Sequence, residues 1–85
     1  MKVWIITGAG RGLGRAFVKE AVDHGDSVIA AVRKIPQNDL LFQHDNVLPV
    51  IMDVTKPDEI KIAIENGIER FGHIDYLINN AGFGM

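Results

Sequence analysis

Thr7-Gly8-Ala9-Gly10-Arg11-Gly12-Leu13-Gly14 is the stretch that decides the fold of this chain. Four glycines fall within seven residues, joining an apolar run, Val3-Trp4-Ile5-Ile6, to a segment with apolar residues at helical spacing. Glycines between a strand and a helix let the backbone approach a pyrophosphate closely. The start of the helix offers free N–H groups and the positive end of the helix dipole. Glycine also marks ordinary turns, so a turn with a purely structural role is the competing reading. No Lys-Ser or Lys-Thr pair follows the glycines, which excludes a Walker A phosphate loop.

Outward from that loop, the chain alternates strand and helix. Residues 3–6 read as a buried strand, because strands of a parallel sheet are apolar on both faces. Over residues 13–24, Leu13, Ala16, Phe17 and Ala21 form a helical stripe, and Gly25 ends it. Residues 27–32, Ser-Val-Ile-Ala-Ala-Val, read as a second buried strand. Residues 36–44 read as a loop with a short helix around Leu40-Leu41-Phe42. Residues 47–52 form a third strand. Pro49 lacks an N–H and therefore places that strand at a sheet edge. Thr55 is the predicted N-cap of a long helix, with Pro57, Asp58 and Glu59 in its first turn. Ile60, Ile64, Gly67, Ile68 and Phe71 recur at helical spacing. Gly67 costs that helix about 1 kcal/mol relative to alanine, and Gly72 ends it. Residues 75–79 form a fourth strand.

Strand–helix alternation with apolar strands predicts a doubly wound parallel α/β sheet. Right-handed crossovers give neighbours 1-2-3, and the long helix then carries the chain back past strand 1. The expected strand order is 3-2-1-4, with helices on both faces. The glycine loop lies at the switch point between strands 1 and 4, where such sheets bind ligands.

Composition bounds the function. A chain of 85 residues holds one small domain at most. It has no cysteine, so disulfides and thiolate metal sites are excluded. Nine basic against eleven acidic residues give a net charge of −2, which argues against nucleic acid or an anionic membrane as partner. No apolar run reaches the ~18 residues of a membrane span. One lysine and a four-residue apolar run do not make a signal peptide. A cytoplasmic location is the expectation. His24, His44 and His73 are scattered at turns and helix ends, with no metal-ligand spacing.

Gly8, Gly12 and Gly14 fit G-x-x-x-G-x-G rather than the more common G-x-G-x-x-G. With Thr7 in front, the string resembles the cofactor loop of the short-chain dehydrogenase/reductase family, T-G-x-x-x-G-x-G. Asn79-Asn80-Ala81-Gly82 resembles that family's N-N-A-G motif after strand 4. Asp53-Val54 resembles the acidic-then-apolar pair after strand 3 that borders the adenine. Three motifs in order, each on the right element, carry the resemblance over essentially the whole chain. It implies a Rossmann-type fold. Residues 1–85 are then a partial NAD(P)-binding domain that ends just after strand 4.

The end of strand 2 reads the ribose 2′ position. Binders of NAD place a carboxylate there, about 20 residues past the glycines. This chain has Val32-Arg33-Lys34 and no acid. A carboxylate would repel a 2′-phosphate, whereas a guanidinium binds one through charge-assisted hydrogen bonds. Arg11 adds a cation inside the glycine loop, and in the family basic residues at both positions resemble a preference for NADP over NAD. The plainer alternative is that Arg33 and Lys34 form a solvated turn. The expected cofactor-binding set is Thr7, Gly8, Gly10, Arg11, Gly12, Leu13, Gly14, Arg33, Lys34, Asp53, Val54, Asn80, Ala81 and Gly82. Within it the resemblance assigns Asp53 to the adenine amino group, and Asn80, Ala81 and Gly82 to the ribose beside the nicotinamide. Asn79 ties strand 4 to its neighbours. Asp53 as a carboxylate that merely serves the following turn stays open.

The family's chemistry uses a serine, a Tyr-x-x-x-Lys pair and a further asparagine beyond strand 4. None of those positions exists here, and Tyr76, inside a strand, does not replace them. The expectation is the front part of an NADP-dependent oxidoreductase that interconverts a carbonyl and an alcohol, inactive on its own. A non-catalytic dinucleotide-binding or redox-sensing module is the alternative. Tyr76-Leu77-Ile78 would form an unpaired apolar edge through which the chain could self-associate.

Overall fold

The computed structural model describes residues 1–80. Ala81 and Gly82 of the expected site lie outside the described residues. The elements are β1 (Val3–Thr7), α1 (Gly12–Asp23), β2 (Ser27–Val32), a 3-10 turn (Leu40–Gln43), β3 (Val47–Ile51), α2 (Pro57–Phe71) and β4 (Tyr76–Ile78). All strand pairs are parallel, and the order is β3-β2-β1-β4, as the crossover rule predicts. Ile5 sits between Ile29 and Leu77.

Successive strand residues point to opposite faces, so the sheet carries two cores. Ile6, Val28, Ala30 and Val32 pack against Val18 and Ala21 of α1 and Phe42 of the 3-10 turn. Val3, Ile5, Ile29 and Ala31 face the other way, with Val50, Met52 and Ala63 of α2. Being covered on both faces and both edges, β2 is buried at all six positions. Val28 N–H donates to Asn46 O and Met52 N–H donates to Val32 O. Peptide groups alternate direction along a strand, so those of residues 47, 49 and 51 turn away from β2. Pro49 therefore lacks its N–H on the open side of the edge strand, where no partner is needed and where it discourages pairing with another chain.

The helices bury only part of the stripes that spacing predicts: Phe17 and Ala21 of α1 and Ile60, Gly67 and Phe71 of α2 pack inward, and the remaining stripe residues do not. The residues buried on α1 are Gly14, Val18 and Ala21, while Leu13 is 62% exposed and Ala16 is exposed. The physical reason is that Gly14 is pressed against the glycine loop, which fixes the inward face one position away from the Leu13 stripe. On α2 the buried residues are Ala63 and Gly67, whereas Ile64 and Ile68 are partly open. They line a groove of about 440 Å³ with Ile74 and Leu77, where the sheet runs out at the short β4. That strand pairs only with β1 in the described residues, and Leu77 is 64% exposed. The N-cap of α2 is Lys56, not Thr55. The Thr55 hydroxyl turns back to Asp53, so it is spent before the helix begins. Glu59 instead accepts from Asp53 N–H at 2.8 Å and secures the approach to α2.

A Cβ on Gly67 would collide with Cδ1 of Ile29. Glycine here lets α2 lie directly on the sheet, which offsets its poor helix propensity. Gly67→Ala, stabilising by about 1 kcal/mol in an exposed helix interior, should instead destabilise by roughly 1–3 kcal/mol through overpacking. Adding Ile29→Val should recover part of that loss in urea unfolding. A stabilised Gly67→Ala would disprove the close packing.

Two carboxylates grip β1 at its amino end. Asp26 accepts from Lys2 N–H at 3.1 Å and from the Trp4 indole at 3.0 Å. Asp75 accepts from Val3 N–H at 2.8 Å, with His73 Nε2 2.9 Å away. These N–H donors hold both carboxyls below the ordinary 3.8, the indole leading for Asp26 and the backbone for Asp75. A carboxyl made more acidic by folding contributes fully above its ordinary value and loses that contribution as pH falls through the lowered one. Stability should therefore drop below about pH 4. Asp75→Asn should flatten this acid limb in urea midpoints measured against pH; an unchanged limb would rule the contact out as its source.

Candidate functional site

The site is built where β1 ends. Gly8 and Gly12 adopt φ of 60°, a left-handed conformation that side chains resist. These two residues fold the loop back so that α1 starts directly beyond the strand. Nothing lies within 4 Å of a Cβ built on Gly12, whereas one built on Gly14 would collide with the Gly8 carbonyl. The first glycine thus leaves open space at the mouth of the loop, and the second closes the helix onto the strand. Ala9 N–H donates to Ala31 O at 3.2 Å and ties the loop to β2. The first turn of α1 has no acidic residue and no side-chain cap, so its N–H groups face the loop.

The two sequence motifs meet across β1 and β4. Thr7 Oγ1 donates to Asn79 Oδ1 at 3.1 Å, and Asn80 Nδ2 donates to Gly8 O at 3.2 Å. Asn79 thus ties β4 to its neighbour. The Asn80 amide holds the carbonyl of the first glycine, which fixes the peptide that begins the turn.

On the other side, the carboxyl ends of the strands bound a cavity of about 130 Å³ lined by Gly8, Val32, Arg33, Asp53 and Val54. Larger grooves lie against α2: the one of about 710 Å³ beside β3 touches no glycine-loop residue, whereas the groove of about 440 Å³ reaches Thr7, Val54 and Asn79. Asp53 Oδ1 accepts from Thr55 N–H at 2.9 Å and from its hydroxyl at 2.7 Å. These two donors, the hydroxyl first, hold the Asp53 carboxyl below its ordinary range. One oxygen therefore serves the turn, while Oδ2 lies 3.9 Å from Arg33 Nη2. The Arg33 side chain is 81% exposed, and Arg11 and Lys34 are exposed as well. Neither Arg11 nor Lys34 makes an ion pair among the described residues. Leu13 stands exposed on the loop side of α1.

Sequence reasoning overlooked one pair at this site. Arg15, in the first turn of α1, makes a two-pronged contact with Asp39: Nε to Oδ2 at 2.8 Å and Nη2 to Oδ1 at 2.9 Å. The available signal was a cation near the start of a helix without an acid close in sequence. The helix dipole disfavours that arrangement unless a carboxylate comes from elsewhere. Among the described residues no group of three His, Cys, Asp or Glu side chains is placed to hold a metal ion, and no helix is long and apolar enough to cross a membrane.

A parallel sheet with helices on both faces and a glycine turn at the switch point defines a Rossmann-type fold. The family model for short chain dehydrogenases matches residues 2–85, and the chain belongs to that family. It is 47% identical over 85 residues to oxidoreductase BOA17 of Botryotinia fuckeliana, covering 96% of this chain and 31% of that protein. Among solved structures, the KRED1-Pglu enzyme matches with a TM-score of 0.86 and 38% identity, over 96% of this chain and 36% of that one. The 3-ketoacyl-(acyl-carrier-protein) reductase of Brucella melitensis, complexed with NADH, matches with a TM-score of 0.76 and 29% identity, over 89% and 32%. The chain spans about a third of the length of these relatives.

The Asn80 contact can be weighed directly. Asn80→Ala should lower stability by about 1 kcal/mol, the worth of one such hydrogen bond. The loss should appear as a lower urea midpoint at constant slope; an unmoved midpoint would show that the amide does not hold the loop.

Proposed function

We propose that this chain is the cofactor-binding portion of an NADP(H)-dependent short-chain oxidoreductase that interconverts a carbonyl and an alcohol. The observation that carries the cofactor choice is the end of β2. Arg33 and Lys34 stand there, exposed, beside the cavity at the strand ends, with no carboxylate on that turn. Family membership and the oxidoreductase relatives support the reaction class.

The fit is argued from the backbone. Gly12 leaves space where any side chain would project, and the capless start of α1 offers N–H donors to a pyrophosphate. Thr7, Gly8, Gly10, Leu13 and Gly14 shape that cradle. Arg11, Arg33 and Lys34 supply positive charge for a 2′-phosphate, which guanidinium groups bind through paired donors. Asp53 Oδ2 and Val54 border the adenine, while Asn80, Ala81 and Gly82 serve the ribose beside the nicotinamide. When bound, the dinucleotide supplies hydride transfer. The residues of this chain orient it, and proton transfer to the substrate falls to residues beyond them, so the 85-residue chain alone should bind without turnover.

Titration of the full-length protein with NADP+ and NAD+ tests this reading. NADP+ should bind more tightly, with an affinity that falls as salt rises. Arg33→Asp should weaken NADP+ by roughly tenfold or more, as expected for lost charge-assisted hydrogen bonds, and should not weaken NAD+, whose 2′-hydroxyl can donate to a carboxylate there. Equal affinities in the unaltered protein, or tighter NAD+, would overturn the choice of cofactor.

A further inference from the structure

The segment that carries Arg33 and Lys34 is held at both ends. At its start, Val32 lies in β2 against the glycine loop: a Cβ built on Gly10 would stand 3.6 Å from Val32 Cγ1 and 3.9 Å from Pro36 Cγ. At its far end stands Asp39. Its Oδ1 accepts from Arg15 Nη2 and also from Leu41 N–H at 3.1 Å, capping the 3-10 turn, while Oδ2 accepts from Arg15 Nε. Both carboxylate oxygens are thus committed, and three donors fix the group in position and angle. The residue before it, Asn38, has φ of 60°, one of the few non-glycine conformations of this kind that asparagine tolerates. That left-handed turn comes directly before Asp39, which reaches back to α1.

Between these anchors Pro36 lies against Gly10, and the two cations themselves have few partners among the described residues. Arg33 has only the 3.9 Å approach to Asp53, and Lys34 has no ion pair among the described residues. The Arg15–Asp39 contact fixes the far end of the segment relative to α1 and Arg11. Arg15 does not itself add to the free positive charge, because Asp39 neutralises it. The Asp39 carboxyl is held below its ordinary range chiefly by the Arg15 hydrogen bond, so the pair stays ionised throughout the neutral range.

We propose that Arg15 and Asp39 are positioning residues for cofactor selectivity: their two-pronged pair holds the Arg33–Lys34 segment beside the glycine loop, so that its cations are in place before a 2′-phosphate arrives. The benefit is preorganisation, since an untethered loop would have to be ordered at the moment of binding. The proposal rests on the NADP reading above. It goes beyond that reading by assigning selectivity to two residues that need not touch the ligand.

The test uses the full-length protein with NADP+ and NAD+ as probes and reads the ratio of the two dissociation constants. Asp39→Ala should lower the preference for NADP+ by about fivefold, the scale of a well-formed but partly exposed ion pair. NAD+ affinity should stay within about twofold. Arg15→Lys keeps the charge but loses the fork, so it should shift the ratio in the same direction. The double variant should be no worse than the more affected single one, because the residues act through each other. Hydrogen exchange of residues 33–41 should speed up in each variant that lowers the ratio. An unmoved ratio, or equal weakening of both dinucleotides, would overturn the proposal. So would tighter NADP+ binding by Asp39→Ala, which would make Arg15 a phosphate ligand masked by Asp39. If the unaltered protein shows no preference for NADP+, the cofactor reading itself fails, and that outcome is visible before any variant is made.

Discussion

The contact on which the rest of this structure depends is the approach of Gly14 to the carbonyl of Gly8. No side chain fits between them, since even a Cβ on Gly14 would collide with that carbonyl. The approach fixes where α1 begins and how it is rotated. Val18 and Ala21 then fall into the core and Leu13 stays outside. The same rotation directs Arg15 at Asp39, and so the position of α1 is transmitted to the turn that follows β2. Asn80 holds the Gly8 carbonyl from the β4 side, which connects the last described strand to the first turn.

The two ends of the parallel sheet are built for different work. At the amino end, Asp26 and Asp75 clamp β1 through backbone and indole N–H groups, and Trp4 and Tyr76 stack with ring centroids 4.5 Å apart. Those contacts are structural, and no glycine cluster lies there. At the carboxyl end, the loop is open at Gly12; Arg11 and Lys34 are exposed with no ion pair among the described residues, and Arg33 has only its 3.9 Å approach to Asp53. The separation follows from parallel strands: every loop leaving a strand emerges at one end, so the residues of the proposed site collect there.

The order of elements was legible because apolar runs and glycine punctuation are local signals. The strand order followed from right-handed crossovers together with the reversal past strand 1 that a doubly wound sheet makes. What could not be read was rotation and partnership. Leu13 and Ala16 satisfy helical spacing with Phe17 and Ala21 as well as Gly14 and Val18 do, and only contact with Gly8 chooses between them. Thr55 has the chemistry of an N-cap, but Asp53, two residues earlier, captures its hydroxyl. The Asp53 carboxylate divides between the turn and Arg33, so the turn reading holds for one of its oxygens. Arg15 and Asp39 lie 24 residues apart with no shared periodicity, so nothing in the string pairs them.

The sequence by itself determined the class of sheet, the position of the glycine loop and the family to which its motifs belong. These are set by residue type at fixed short spacings, and short-range sterics act on them directly. Only the tertiary structure decided which face of each helix is buried, that Gly67 is needed for α2 to rest on Ile29, and that the cation-bearing turn is tethered to α1. Those outcomes depend on which atoms distant parts of the chain bring within contact. Packing admits one arrangement among several that local spacing allows equally well.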